Sequence, residues 1–205
     1  MIFKKMAVGM LGANCYIVGC EETKKCAIID PGGNPEKIQN VIAKAELEVV
    51  MILLTHGHGD HISGAVQLKK KYGCPILLHG DDVEMAEDAD LNHSDRFGAK
   101  VEFTPDRCVH EFEELEVGNK KLLILHTPGH TKGGISIKLD DDLFSGDTLF
   151  CGSVGRHDLY GGNGRQLIKS IKEKIYTLND NVVVHPGHGP ETTVGREKKS
   201  NPFTM

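Results

Sequence analysis

Four side chains that can bind a metal ion lie within six residues of one another at a single point of the sequence. They belong to the segment Thr55 to His61 and are His56, His58, Asp60 and His61. This segment directly follows Val49 to Leu54, an apolar run that predicts a buried strand. Gly57 and Gly59 stand between the four side chains, and we expect them to let the backbone fold so that these side chains converge. The spacing therefore predicts a metal site.

Three more potential ligands follow predicted strands elsewhere in the chain. Each comes directly after a glycine, and they are His130, Asp147 and His188. Imidazole and carboxylate groups without thiolate suit zinc, iron or manganese. Seven ligands exceed what one tetrahedral ion uses. The sequence thus predicts two divalent metal ions per chain, with Zn²⁺ preferred and Fe or Mn as alternatives.

Both strands and helices are predicted in each half of the chain, and they must position these ligands. Met6 to Cys20 is expected to be a strand interrupted by glycines, and Asp81 to Ala89 a short acidic helix. The other predicted strands are Cys26 to Ile29, Val49 to Leu54, Pro75 to Leu78, Glu116 to Leu125 with a turn at Gly118-Asn119, Ile135 to Leu139, Leu143-Phe144 and Val182 to Val184. The other predicted helices begin at Asn34-Pro35, run from Ile62 to Tyr72 and cover Gln166 to Leu178. This mixture predicts an α/β fold in layers.

Size and composition narrow the possible functions. The chain has 205 residues and no linker-like stretch, so we expect one domain over residues 1–205. With 24 basic and 29 acidic residues, its net charge of −5 disfavours nucleic-acid binding. No apolar run is long enough for a membrane helix. Six cysteines without a CxxC pair indicate reduced thiols and a cytoplasmic location. A small-molecule substrate is expected, and the oligomeric state is left open.

Four motifs together resemble the signature of the metallo-β-lactamase superfamily, in its small glyoxalase II-like (hydroxyacylglutathione hydrolase-like) branch. They are THGHGDH at 55–61, TPGHT at 127–131, SGDTLF at 145–150 and PGHGP at 186–190, with Asn14-Cys15-Tyr16, Gly155-Arg156, Asp158 and Asn201-Pro202-Phe203 also resembling that branch. The resemblance implies an αββα sandwich of two mixed β-sheets flanked by helices. It also implies that His56, His58 and His130 hold the first metal, that Asp60, His61 and His188 hold the second, and that Asp147 bridges both.

The same resemblance implies a thioester hydrolase. Two divalent ions present a metal-bridging hydroxide at neutral pH, and Asp60 is the expected catalytic residue that orients this hydroxide. The expected substrate is a 2-hydroxyacyl thioester resembling lactoylglutathione. Two alternatives stay open: a persulfide dioxygenase with one iron, and a lactone hydrolase. Full-length glyoxalase II has a helical C-terminal domain that holds glutathione, whereas only Glu191 to Met205 follows the last ligand here. We therefore expect weak discrimination between thiols.

Several residues beside the ligands are candidates for supporting roles. Arg156 and Tyr160, in the glycine-rich loop after Asp147, are candidate substrate contacts. Asp30, Thr127 and Thr148 are candidates for orienting the imidazoles. The remaining histidines have no loop pattern of their own, and surface or packing roles are expected for His79, His93, His110, His126, His157 and His185.

Overall fold

A computed structural model describes residues 1–97 and 100–205 of the chain. Within these residues, the strands are β1 (Ile2–Val8), β2 (Ala13–Gly19), β3 (Lys25–Ile29), β4 (Glu48–Leu53), β5 (Ile76–His79), β6 (Arg107–Val109), β7 (Glu114–Val117), β8 (Lys120–His126), β9 (Ile135–Leu139), β10 (Asp142–Gly146), β11 (Leu149–Phe150), β12 (Ser153–Val154), β13 (Val183–Pro186) and β14 (Thr192–Thr193).

The helices of the same residues are short. They are α1 (Pro35–Lys44), α2 (Gly59–Ile62), α3 (Ala65–Tyr72), α4 (Val83–Ala86), α5 (Ala89–Asn92), α6 (Gly164–Ser170) and α7 (Val194–Ser200), with 3₁₀ turns at Gly80–Asp82 and Ser94–Phe97 and a π-helix at Ile171–Ile175. Among the described residues, no helix has both the length and the apolar character that a bilayer crossing requires.

Two mixed sheets form the centre of the fold. The first has the strand order β1-β2-β3-β4-β5-β6, and its pairs are antiparallel up to β3 and parallel from β3 onwards. The second has the order β14-β13-β10-β9-β8-β7, in which only β13 and β10 pair in parallel among the described strands. Since β9 is antiparallel to both β8 and β10, the strands β8, β10 and β13 all run in the same direction.

Three apolar clusters show how the layers stack. The cluster between the sheets contains Tyr16, Ile29, Leu53, Ile124 and Phe144. A second cluster packs α1 and α3 against the outer face of the first sheet, through residues such as Ile38, Ile42, Leu68, Ile28 and Ile52. The third packs α6 and the π-helix against the second sheet, through Leu167, Ile171, Ile175, Leu143 and Val184. The predicted αββα sandwich is therefore confirmed.

The single strand predicted over Met6 to Cys20 is wrong. The chain instead forms the antiparallel hairpin of β1 and β2, in which Met6 pairs with Cys15. Gly9 and Gly12 have φ values of 68° and 66°, a left-handed conformation that reverses the chain at little steric cost. The turn leaves Met10 and Leu11 exposed, and Leu11 lines a cavity together with several of the candidate ligands.

The acidic helix predicted over Asp81 to Ala89 is divided. A 3₁₀ turn at Gly80–Asp82 leads into α4, and α5 begins only at Ala89. The division lies at Asp88, whose side chain accepts hydrogen bonds from the amides of Asp90 and Leu91 and so caps a new helix. Strand β6 and helix α7 had no counterpart in the sequence prediction, because β6 has three residues and α7 is largely polar.

Two other predicted helices are also interrupted. Ser63 and Gly64 separate α2 from α3, while Gly73, with φ 65°, ends α3 after Tyr72 as predicted. The helix predicted over Gln166 to Leu178 changes from α6 into the π-helix at Ile171.

Candidate metal centre

All seven candidate ligands follow strand ends and meet at one edge of the sandwich. The segment Thr55 to His61 follows β4 of the first sheet, where α2 begins at Gly59 and places Asp60 and His61 in its single turn. In the second sheet, His130 follows β8, Asp147 follows β10 and His188 follows β13. Because β8, β10 and β13 run in the same direction, their following loops lie at the same edge.

His56, His58 and His130 form the first ligand group. One nitrogen from each ring lies within 4.8 Å of the others, and all three residues are buried. His58 Nδ1 is 2.9 Å from His130 Nε2. The His56 ring meets the His58 and His130 rings nearly at right angles, at centroid distances of 4.9 and 4.7 Å. Three imidazoles thus converge on one point from different directions.

Asp60, His61 and His188 form the second ligand group, again with ligand atoms within 4.8 Å of one another. His188 Nε2 lies 3.1 Å from Asp60 Oδ2 and 3.3 Å from His61 Nε2. His61 is fully buried, whereas the His188 side chain is 29% exposed. The second group therefore opens toward solvent.

The carboxylate of Asp147 lies between the two groups. Its Oδ2 is 3.6 Å from His130 Nε2 of the first group and 3.8 Å from His188 Nε2 of the second. Its Oδ1 is 3.5 Å from His61 Nε2. One side chain thus reaches both groups.

The unpartnered atoms of this site fit bound cations. His56 Nε2 and Asp147 Oδ1 are buried without a hydrogen-bond partner among the described residues. Such atoms are costly unless something else binds them. Burial and the neighbouring histidines hold the pKa values of His56 and His58 well below their usual range, so both rings are neutral and able to coordinate.

The second group is strongly electronegative. Burial by itself would lower the pKa of His61, but the carboxylates of Asp147, Asp60 and Asp30 outweigh it and raise that pKa to about 10. Burial by itself would raise the pKa of Asp60, but His61 and His188 outweigh it and hold that pKa well below its usual range. Three carboxylates around one imidazole favour positive charge at this point, as a divalent ion would provide.

Hydrogen bonds to the far ring nitrogens fix three of the imidazoles. Asp30 Oδ2 lies 2.9 Å from His61 Nδ1, the Thr55 hydroxyl 3.0 Å from His56 Nδ1, and the Arg156 carbonyl 2.6 Å from His130 Nδ1. Asp30 also accepts hydrogen bonds from the Thr55 amide and hydroxyl, at 2.7 and 2.6 Å. This pattern, in which an acceptor orients a ligating histidine, is usual around metals.

Of the three predicted supporting residues, only Asp30 contacts an imidazole among the described hydrogen bonds. The hydroxyls of Thr127 and Thr148 lie 3.1 Å from each other, and Thr127 also contacts Ser136. Their role is to join β8, β9 and the segment after Asp147. Thr127 is fully buried, and its hydroxyl lies 3.0 Å from that of Ser136 and 3.1 Å from that of Thr148.

Asp82 is a supporting residue that sequence reasoning missed. Its buried carboxylate accepts hydrogen bonds from the Gly57 amide at 3.0 Å, the Thr131 hydroxyl at 2.7 Å and the Gly133 amide at 2.6 Å. It therefore joins the loop of His56 and His58 to the loop of His130. Nothing in the acidic run around it distinguishes it from its exposed neighbour Asp81.

The His188 loop is held by the first sheet. The Pro186 carbonyl accepts hydrogen bonds from the Tyr16 hydroxyl at 2.7 Å and the Asn14 side-chain amide at 2.9 Å. The Asn14 backbone amide donates to the Gly187 carbonyl at 2.7 Å. Strand β2 thus connects the two sheets at the ligand edge.

The glycines of the ligand loops act through close approach. Gly57 and Gly59 do not adopt positive φ; instead, an added Cβ would lie 3.1 Å from Met85 and 2.7 Å from Ser94. The prediction that these two glycines give the backbone an unusual conformation is therefore wrong. They are needed because a side chain at either position would collide with Met85 or Ser94. At Gly187, a Cβ would lie 2.1 Å from Asp147 Oδ1 and 2.7 Å from the His61 ring.

A cavity of about 360 Å³ opens onto both ligand groups. Its wall away from the ligands includes Leu11, Arg96, Phe150, Arg156 and Leu159. Arg156 is also exposed and paired with Asp158, at 2.8 and 2.9 Å. Tyr160 lies outside this wall, where its hydroxyl donates to Glu84 at 2.6 Å.

The family model of the metallo-β-lactamase superfamily matches residues 8–188, a range that spans every candidate ligand. The chain belongs to this superfamily. The fold and the resemblance drawn from the motifs are thereby confirmed, and the histidine and aspartate groups lie within the matched range as candidate metal ligands.

Two relatives match along almost their whole length. A protein named probable metallo-hydrolase YqgX from Bacillus subtilis is 41% identical over 99% of this chain and 97% of its own. The hydroxyacylglutathione hydrolase GloC from Haemophilus influenzae is 40% identical over 93% of this chain and 92% of its own.

Solved structures give the same fold. The B3 metallo-β-lactamase BLEG-1 superposes with a TM-score of 0.94 at 35% identity, covering 100% of both chains. TTHA1623 in a di-iron-bound form gives 0.88 at 37% identity, covering 98% of this chain and 99% of its own. ETHE1 from Myxococcus xanthus gives 0.82 at 28% identity, covering 98% and 84%. Proteins with this fold therefore include ones whose names refer to different activities.

Proposed function

We propose that the protein is a dinuclear metal-dependent hydrolase that cleaves small thioesters, such as 2-hydroxyacyl thioesters resembling lactoylglutathione. The proposal that two ions are bound rests on the position of Asp147. Its two carboxylate oxygens lie 3.5 to 3.8 Å from ring nitrogens of His61, His130 and His188. A carboxylate between two histidine groups can bind an ion on each side. Nitrogen and oxygen donors without thiolate favour Zn²⁺, with Fe or Mn as alternatives, and the TTHA1623 relative holds two irons.

The proposed roles follow from the two groups. His56, His58 and His130 would hold one ion, Asp60, His61 and His188 the other, and Asp147 both. Such ions, when bound, lower the pKa of water toward neutrality and polarise a carbonyl. Asp60, with its Oδ2 beside His188, would accept a hydrogen bond from the attacking water and orient it. Asp30, Thr55 and the Arg156 carbonyl would keep the rings fixed during turnover.

The proposed substrate class rests on the cavity and on one relative. Leu11, Phe150 and Leu159 give the wall an apolar part for an acyl group, and Arg156 is a candidate contact for a substrate carboxylate. A thiolate leaves readily because a thiol has a pKa of about 8.5, so a separate general acid is unnecessary. The 40% identity to a hydroxyacylglutathione hydrolase supports the same chemistry.

The test combines metal analysis with a substrate panel on the purified protein. The panel contains lactoylglutathione, the same acyl group on a shorter thiol, a lactone, a β-lactam and glutathione persulfide. The cavity wall carries Arg96 and Arg156, of which Arg156 is already paired with Asp158. We expect thioester cleavage, with kcat/KM values for the two thiols within about tenfold, or roughly 1.4 kcal/mol.

Other results on this panel would contradict the proposal. One iron per chain with oxygen consumption on the persulfide would indicate a dioxygenase. Lactone or β-lactam cleavage without thioester cleavage would indicate another hydrolase of the same superfamily.

We also propose that residues 1–205 work as one catalytic domain in the cytoplasm. All six cysteines are free, and Cys15, Cys20, Cys26 and Cys74 are buried, which supports a reducing compartment.

A further inference from the structure

A second cluster of metal-binding side chains lies outside the centre described above. His79 is the last residue of β5 in the first sheet, and His126 is the last residue of β8 in the second. Their rings stack with centroids 4.0 Å apart, and Asp81 lies beside both. We call His79, Asp81 and His126 the outer histidine cluster. It shares no residue with the seven candidate ligands.

The distances within this cluster are close to those of a coordination shell. Asp81 Oδ2 lies 3.8 Å from His79 Nδ1 and 4.0 Å from His126 Nε2. In a tetrahedral zinc site with bonds of about 2.0 to 2.1 Å, neighbouring ligand atoms are about 3.3 Å apart. The Lys132 carbonyl accepts a hydrogen bond from His126 Nε2–H at 3.0 Å, so His126 must move its proton to Nδ1 before Nε2 can bind an ion. The candidate ligand atoms of His79, Asp81 and His126 all lie within 4.8 Å of one another. Contraction by up to about 1.5 Å would therefore complete the shell.

The ring orientations require one further adjustment. The His79 and His126 planes are inclined by only 13°, so their lone pairs do not yet point at one position. The His79 Nδ1 lone pair accepts a hydrogen bond from the Asp81 backbone amide at 3.3 Å, and an ion bound at Nδ1 would replace that hydrogen bond. Rotation of the His126 ring about its broad χ2 torsion would bring Nε2 toward the same point.

The neutral ring of His79 and the exposed carboxylate of Asp81 both favour cation binding. Burial and the neighbouring His126 lower the pKa of His79 to about 4, so the ring is neutral at physiological pH. The Asp81 side chain is 59% exposed, so its carboxylate can exchange water for an ion. Asp81 and His126 also line a surface depression of about 490 Å³, which gives an ion access.

We propose that His79, Asp81 and His126 bind an additional divalent transition-metal ion, of the zinc class, that joins the two sheets. Asp81 adjoins Asp82, which holds the Gly57 amide and the Thr131 hydroxyl. An ion in the outer histidine cluster would therefore fix the 3₁₀ turn at Gly80–Asp82 against β8 and stabilise two ligand loops indirectly. Its role is structural, and it does not depend on the reaction at the main centre.

The test is a zinc titration of the metal-loaded full chain, followed by metal analysis after dialysis at a defined free zinc concentration. D81N and H126Q remove one proposed ligand each, and H157Q is the matched control, since His157 is exposed and outside both sites. We expect the wild type and H157Q to bind one more zinc ion per chain than D81N or H126Q. Added zinc should also raise the Tm of the wild type beyond the value reached when the main centre is full, and D81N should lack this rise.

Equal zinc content and equal zinc-dependent Tm in the wild type and D81N would overturn the proposal. If H126Q fails to fold, D81N still decides the matter, because its altered side chain is mostly exposed. Thioesterase activity is measured in parallel. A loss of zinc binding in D81N with intact activity supports this site, whereas absence of activity in every variant contradicts only the proposed function.

Discussion

The two sheets contribute ligands to the candidate metal centre in different ways. The first sheet provides four ligands from one loop after β4, and the second provides three ligands from three separate loops. The loop of the first sheet is fixed by two buried carboxylates, Asp30 and Asp82, whereas the His188 loop is fixed through neutral backbone carbonyls. The His130 loop lies between these cases, because both Asp82 and the Arg156 carbonyl hold it. Charged hydrogen bonds are stronger than neutral ones, so we expect substitutions around the first loop to have larger effects.

Asp147 is where the two contributions meet, and its replacement should have the largest effect. Because its carboxylate faces both groups, Asp147→Ala should remove one or both metals and lower the hydrolysis rate by more than the roughly 10- to 100-fold cost of losing a supporting residue. Metal analysis and initial rates measure this. Asp141→Ala, an exposed position before the same strand, is the control. Two metals and normal turnover in Asp147→Ala would refute its bridging role.

Substitutions of His58 and His188 compare the first and second ligand groups directly. His58→Ala should damage the first site and leave the second partly occupied, and His188→Ala should do the reverse. Metal content should fall in each variant without reaching zero, because each group keeps two other ligands and Asp147. Unchanged metal content in either variant would exclude that histidine as a ligand.

Asp30 tests whether the first loop depends on its buried charge. Asp30→Ala would leave the Thr55 amide, the Thr55 hydroxyl and His61 Nδ1 without their acceptor. We expect metal affinity to fall by about 10- to 100-fold, and the free energy of unfolding to fall by about 1 to 3 kcal/mol. Asp30→Asn, which keeps one acceptor oxygen, should lie between the wild type and Asp30→Ala. Metal affinity within twofold of the wild type in Asp30→Ala would contradict this role.

Substitution of Tyr16 in the first sheet tests how strongly the His188 loop of the second sheet depends on the hydrogen bond that Tyr16 donates to it. This substitution should have the smallest effect. Tyr16→Phe removes one of two donors to the Pro186 carbonyl, and the Asn14 amide remains. We expect a loss of about 1 kcal/mol in unfolding free energy and a small rise in KM. Tyr176→Phe removes a buried hydroxyl contact with Thr204, which belongs to none of the ligand loops, and should cost similar stability without changing KM. Equal kinetic effects in both variants would show that Tyr16 has no particular influence on the His188 loop.

These comparisons also explain what could be predicted from the sequence. The four ligands at 56–61 stand out because they are adjacent in sequence, and His130, Asp147 and His188 because each follows an apolar run and a glycine. The sandwich followed from the same apolar runs together with the family resemblance. The division of Met6 to Cys20 into a hairpin depends on two left-handed glycines, which apolar periodicity does not register.

Supporting residues were harder to predict, because their roles depend on tertiary contacts. Asp82 is buried beneath two loops while its neighbour Asp81 is exposed, and no local pattern separates them. His79 and His126 are 47 residues apart and become neighbours only through the packing of β5 against β8. Thr127 was expected to orient an imidazole, but its hydroxyl faces Thr148 and Ser136.

The most direct test of the dinuclear centre is a crystal structure of the zinc-loaded protein with anomalous scattering measured above the zinc absorption edge. Unlike a metal count, it separates the ions of this centre from one bound at the outer histidine cluster. At the dinuclear centre we predict two anomalous peaks, one among His56, His58 and His130 and one among Asp60, His61 and His188, with an Asp147 oxygen bound at each. A single peak at this metal centre, or two peaks of which only one is bound by Asp147, would contradict the account.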